Sequence, residues 1–161
     1  MKQKSLTISF APSAQADIFP VYVVNPNAVG GKVEGIQIAN SHNSDTHTCS
    51  ISRIEYSKKY PTNINYFGDG SIRSQIWNYD GSAYSVMLKD VSIPATTALN
   101  VLQIPVFLRP RDIITLKPTS TGSGTVFKPT ITVTEYFEDD ADATTTVDIY
   151  SVFSQLLSGT Y

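Results

Sequence analysis

From Tyr84 to Phe137 the chain reads YSVMLKDVSIPATTALNVLQIPVFLRPRDIITLKPTSTGSGTVFKPTITVTEYF, short runs of alternating apolar and polar residues broken by turn signals. This rhythm restricts the fold more than any other feature. Side chains of a strand alternate between faces, so each run buries one side and wets the other, and the turns between runs return the chain antiparallel. Pro94, Pro110 and Pro118 fall between runs or at their edges, where a missing N–H does little harm. The stretch contains no set of residues that could carry out a reaction, which directs attention to its surface.

The same pattern extends toward the N-terminus. Leu6-Thr7-Ile8-Ser9-Phe10 forms a run closed by Pro12, and Ile18 to Val24 one closed by Asn25-Pro26-Asn27. Gly30-Gly31 opens Lys32 to Ala39, and a polar loop over Asn40 to Asp45 leads into Thr46 to Ser57. In that last run Cys49 and Ile51 share one parity while Ile54 and Tyr56 take the other, a slip that needs a bulge or a bend. Strands then follow over Tyr84 to Val91, Ala98 to Leu108, Ile113 to Leu116 and Thr125 to Phe137. About eight strands at near-regular spacing predict an all-β fold, a single antiparallel β-sandwich or jelly roll.

Two segments depart from the rhythm. Lys58 to Asp80 carries Pro61, Gly68-Asp69-Gly70 and many aromatic and Asn residues, and reads as a long decorated connection with a strand over Ser71 to Asn78. After the acidic turn Glu138-Asp139-Asp140-Ala141-Asp142, Thr144 to Leu157 reads as a short helix, with Thr145 and Asp148 spaced as a capping box. Its apolar face would be Ile149, Tyr150, Phe153, Leu156 and Leu157. A strand over Thr146 to Val152 is the alternative, because β-branched residues dominate there.

With 161 residues the chain suits one domain, with an N-terminal strand or arm over 1–12 and a C-terminal docking segment over 144–161. Charged residues make up 16%, against roughly 25% in soluble proteins; low charge fits both subunit-covered surface and a Thr- and Ser-faced β protein. A net charge of −2 offers no basic excess for phosphates, so nucleic acid is not an expected partner. Apolar runs are too short to span a membrane. Lys2 and Lys4 superficially suggest a signal peptide, but Ser5, Thr7 and Ser9 break the apolar region one requires. The single cysteine, Cys49, rules out an intrachain disulfide, fits folding in a reducing cytosol, and reads as a small core residue.

Candidate chemistry is sparse. His42, Asp45, His47 and Cys49 are metal-ligand types, but one short cluster on a loop is a weak signal. Glu138, Asp139, Asp140 and Asp142 lack the spacing and the glycine of a calcium loop. No nucleophile elbow, phosphate loop or metalloprotease motif is present, so neither enzymatic activity nor a metal or cofactor is expected. Surface elements are the better candidates. Tyr66, Trp77 and Tyr79 either cover one end of the core or present aromatic surface to a protein or glycan. Arg109 and Arg111 flank Pro110 in a tight turn and either hold it with Asp112 or dock on an acidic neighbour. Leu6, Ile8 and Phe10 at one end, and Phe153, Leu156 and Leu157 at the other, are apolar chain ends that need a docking place.

The run from Tyr84 through Ile93-Pro94-Ala95 to Leu99-Asn100-Val101-Leu102, with Pro105 to Leu108, Asp112-Ile-Ile-Thr-Leu116 and Thr130-Ile-Thr-Val-Thr-Glu-Tyr136, resembles small virion proteins of tailed bacteriophages. Ile36-Gln-Ile-Ala-Asn40 resembles that family's earlier strand, which ends on Asn before a polar loop. The likeness covers roughly Lys32 to Phe137. It implies a β-sandwich virion component, assembled in the host cytoplasm, that binds other capsid, neck or tail subunits and forms homo-oligomers. One departure is Arg111, where the family has Gly before the Asp; the expectation is that this position does not use a positive φ. The segments 60–79 and 144–161 lie outside the pattern.

Overall fold

A computed structural model of the chain describes residues 1–9, 19–55, 84–119 and 126–144. They form nine strands, β1 (Lys2–Ser9), β2 (Phe19–Val23), β3 (Gly30–Asn40), β4 (His47–Ile54), β5 (Tyr84–Ile93), β6 (Ala98–Leu102), β7 (Val106–Leu108), β8 (Ile113–Pro118) and β9 (Phe127–Phe137). One sheet has the order β1-β9-β3-β6, with β7 also on β3, and the other β2-β8-β4-β5. All pairings are antiparallel. With β6 and β7 taken as halves of one strand, first pairs with last, second with next to last, third with third from last, and the middle two with each other. The chain is therefore one long antiparallel hairpin rolled up, and β3–β9 and β4–β8 pairing completes the two sheets. Of the two architectures left open by the sequence, this is the jelly roll.

Strand β9 shows how the pattern builds the core. Phe127, Ile131, Val133 and Phe137 point inward and are buried, while Lys128, Thr130, Thr132, Thr134 and Tyr136 face outward. Val33, Ile36 and Ile38 of β3 meet Ile114 and Leu116 of β8 and Cys49 and Ile51 of β4 in a single cluster; each aliphatic side chain so buried contributes ~1.5–3 kcal/mol. Pro129 sits inside β9 opposite Ile38 of β3, one position past the last described pair with β1, Ser9–Thr130.

Several expectations change. Ala98 to Leu108 is two strands, because the chain leaves the ladder over Gln103–Pro105 and rejoins β3 further along. The parity slip in β4 is not a bulge of β4, which pairs with β8 without interruption. Both of its faces are buried, Cys49 and Ile51 on one and Ser50, Ser52 and Ile54 on the other. The irregularity falls on β5, where register shifts flank Ile51. Asp90 there adopts φ 50° and gives its N–H to Ser50 Oγ at 3.0 Å. Gly30 and Gly31 belong to β3 rather than to a turn before it: a Cβ on Gly30 would lie 2.9 Å from the Leu108 carbonyl oxygen.

Candidate interaction surface

The Arg109–Asp112 corner joins β7 to β8, so the chain must cross from one sheet to the other within four residues. Arg111 makes the crossing with φ 69°, which corrects the expectation from its side chain. The left-handed conformation costs a non-glycine residue roughly 1–2 kcal/mol, and the corner supplies the compensation. The Arg111 N–H donates to the Val24 carbonyl at 3.0 Å, and Val24 N–H donates to the Asp112 carbonyl at 3.0 Å. Asp112 is fully buried, and its Oδ2 accepts the Arg109 N–H and an Arg53 guanidinium N–H, both at 3.0 Å. The turn shape that a glycine would permit is thus reached without one. Arg109 is exposed and Arg111 half-buried.

Ile93-Pro94-Ala95 marks the equivalent crossing from β5 to β6. Ile93 is buried and its carbonyl accepts Asn40 Nδ2 at 2.8 Å. Thr96, at φ 55°, donates its N–H to the His42 carbonyl. Asn40 also donates to the Asp45 carbonyl and accepts the His42 N–H, so one buried amide ties the 40–45 loop to the far sheet. A third buried clip is Glu135, which accepts the Tyr22 hydroxyl at 2.8 Å and the Asn25 N–H at 3.0 Å. Burial, reinforced by the Glu135 charge, pushes the Tyr22 phenol far above its ordinary range. Sequence reasoning missed Glu135 because its neighbours in space are over 100 positions away.

His42, Asp45 and His47 do converge, with ligand-type atoms within 4.8 Å of one another. The His42 Nδ1 accepts the N–H of Ser44 at 3.2 Å and of Asp45 at 2.9 Å. His42 Nε2 lies 3.8 Å from Asp45 Oδ2. The rings also pack, His42 edge-on to His47 and His47 edge-on to Phe127. Cys49 is buried, and burial pushes its thiol up to about 12.

Residues 1–4 and 138–144 meet at one seam. Among the described residues β1 is the edge of its sheet, with Leu6 and Ile8 half-buried on its inner side and Ile8 against the core. The terminal ammonium of Met1 pairs with Asp139 at 2.8 Å, Lys2 Nζ donates to the Ala141 carbonyl at 2.7 Å, and Lys4 Nζ to the Ala143 carbonyl at 2.9 Å. Asn27, beyond β2, donates to the Asp142 carbonyl at 3.4 Å. Residues 138–144 thus run from the end of β9 past β1 toward the β2–β3 loop, across the open side between the two sheets. Inward-pointing lysines on an edge strand also discourage indiscriminate strand pairing.

On the opposite edge Ile104 and Phe107 are 77% and 66% exposed, which sequence patterning could not distinguish from core positions. The sequence candidates Phe10, Tyr66, Trp77, Tyr79, Phe153, Leu156 and Leu157, the strand over Ser71 to Asn78 and the helix over Thr144 to Leu157 lie outside the described residues. No helix among the described residues is long and apolar enough to cross a membrane.

No family model matches the chain, and no curated protein does. Solved structures similar to it include a chain of the disulfide-linked pili of Bacillus endospore appendages, at 10% identity and TM-score 0.36, covering 85% of this chain and 88% of that one. A chain of infectious bursal disease virus, Gx strain, is similar at 10% identity and TM-score 0.42; the match covers 87% of this chain but only 34% of the viral one. A chain from the capsid of Helicobacter pylori bacteriophage KHP30 is similar at 9% identity and TM-score 0.36, covering 84% and 89%. These neighbours are virion and pilus proteins.

Proposed function

We propose that the chain is a non-enzymatic structural subunit of a tailed-phage virion, present in many copies and bound to neighbouring virion subunits as a capsid decoration or a neck or tail joint. The observation that carries this reading is the seam at β1. Residues 1–4 and 138–144 are fastened there to each other and to the domain, so the N-terminus and Thr144 lie together beside β1, the edge strand among the described residues. A segment continuing from beside a strand edge can add to a neighbour's sheet or groove. Supporting it, the buried polar groups Asn40, Asp112 and Glu135 are engaged in holding loops and sheet crossings. A jelly roll by itself hosts many roles, which is why the seam and not the fold bears the weight.

Incorporation into particles tests the reading. Particles of the encoding phage, assembled without this protein, are incubated with the full chain or with a variant ending at Thr144, then sedimented. The full chain is expected to sediment with the particles and the truncated one to stay behind with an unchanged circular dichroism spectrum. Should truncation unfold the domain, Leu156→Asp with Leu157→Asp in the full chain replaces it. Equal sedimentation of the variant, or absence of the protein from native particles, refutes the proposal.

A further inference from the structure

The outer face of the β1-β9-β3-β6 sheet carries a groove of about 470 Å³ between β9, β3 and β6. Two irregularities meet there, an extra residue in β3 against β9 and an extra residue, Val101, in β6 against β3. The register shifts against β9 between Val33 and Gly35, and against β6 between Ile36 and Gln37. Gly35 lies at that point with no side chain to fill the space, and a Cβ there would approach nothing closer than the Leu102 carbonyl oxygen at 3.8 Å. The volume lies within the ~300–1,000 Å³ range of small-ligand sites.

The lining is unusual for its chemistry. Gln37, Asn100 and Gln103 bring three amides, and Thr130 and Thr132 two hydroxyls. Gln37 and Asn100 stand opposite each other in the ladder, and the side chains of Gln37, Asn100, Gln103 and Thr132 are exposed. Glu34, the one charged residue of the lining, pairs with Lys32 at 3.3 Å and accepts the Thr134 hydroxyl at 3.2 Å. An anion would meet that carboxylate and no cationic lining group. A metal ion would find one carboxylate already paired with a lysine. Each amide offers a carbonyl acceptor and two donors, and each hydroxyl can do either, which is the complement of adjacent hydroxyls on a neutral sugar. Beyond Glu34 on the same face, Phe107 stands opposite Lys32 in the ladder, its ring 66% exposed and 5.9 Å from the Lys32 ammonium. It offers the apolar face of a sugar ring a surface further along the same face, outside the groove itself.

We infer that this groove is a binding site for a neutral oligosaccharide, with Gln37, Asn100 and Gln103 bonding hydroxyls and Phe107 contacting a ring face. The site is separate from the β1 seam, so it stands or falls independently of a role in particle assembly. An open, hydrated site of this kind binds weakly per copy, and repetition of copies on one surface raises the avidity.

Nuclear magnetic resonance titration of the full chain tests it, with cellohexaose, mannohexaose and chitohexaose as probes, each added to about 10 mM to detect millimolar affinity. At least one probe is expected to shift the side-chain NH₂ signals of Gln37, Asn100 and Gln103 together. Asn100→Ala is expected to weaken that probe at least about fivefold, with the remaining spectrum unchanged, and Phe107→Ala to weaken it by a similar factor. The inference is overturned if none of the three probes moves those signals. It is equally overturned if the shifts fall on the 60–79 segment instead, or if Asn100→Ala and Phe107→Ala leave the titration unaltered.

Discussion

Replacing Asp112 with alanine removes the single acceptor that holds both the Arg109 N–H and the Arg53 guanidinium. A hydrogen bond to a charged group contributes about 1.5–3 kcal/mol, and removing one partner of a buried ion pair costs about 3–5 kcal/mol. Arg53 is 21% exposed and has Glu55 at 3.6 Å as a second partner. The lower end of the range therefore applies, about 3 kcal/mol. For a chain of this size each kcal/mol lowers Tm by about 2–4 °C, so Asp112→Ala is expected to melt about 6–12 °C early. Asp112→Asn keeps an oxygen for the Arg109 N–H and gives up only the charge, so it is expected to lose about 1–2 kcal/mol. Urea unfolding of Asp112→Ala, Arg53→Met and the double variant closes a cycle whose coupling should reach about 1–3 kcal/mol. A loss below about 1 kcal/mol for Asp112→Ala, or simple additivity in the cycle, would refute the view that this carboxylate holds the corner.

Other expectations follow from the backbone and the buried groups. Arg111→Gly and Arg111→Ile both lose the arginine, but only isoleucine must be forced into φ 69°; their unfolding free energies from urea titration should differ by about 2 kcal/mol in favour of glycine, and equal values would exclude a left-handed residue there. Gly30→Ala brings a Cβ 2.9 Å from a backbone oxygen, whereas at Gly35 the nearest atom is at 3.8 Å; the first should destabilise by about 1–3 kcal/mol and the second by less than about 1, as read by calorimetry. The Cys49 thiol, raised by burial from an ordinary 9.0 to about 12, stays protonated in the folded chain while it ionises in the unfolded one. The stability due to that difference is complete below pH 9 and is lost as pH rises toward 12, at up to about 1.4 kcal/mol per pH unit. Cys49→Val should show a correspondingly flatter decline in urea stability between pH 9 and 10, before tyrosine ionisation in the unfolded chain intervenes; identical slopes would count against burial of the thiol.

Much of the strand pattern was readable because burial on one face leaves a period-two trace that neighbours in sequence share. β9 shows this from Phe127 to Phe137, and Cys49 was legible as a core residue for the same reason. β4 was misread because both faces are buried, and a strand without a wet side leaves no alternation to follow. Ala98 to Leu108 was misread because leaving a ladder over three residues changes hydrogen bonding and not hydropathy. The clips Tyr22–Glu135, Arg53–Asp112 and Asn40–Ile93 join residues 113, 59 and 53 positions apart, and a linear reading has no access to such pairs.

By itself the sequence determined an all-β sandwich, the approximate number of its strands, and the turns at which the chain reverses, because these depend on side-chain period and local backbone preference. Which strands became neighbours was decided only in three dimensions, since antiparallel pairing of first with last joins residues with nothing local in common. The same holds for the left-handed Arg111. Its side chain argues against that conformation, and the hydrogen bonds to Val24 and through Asp112 that compensate for it exist only once β2, β4 and β8 are assembled around the corner.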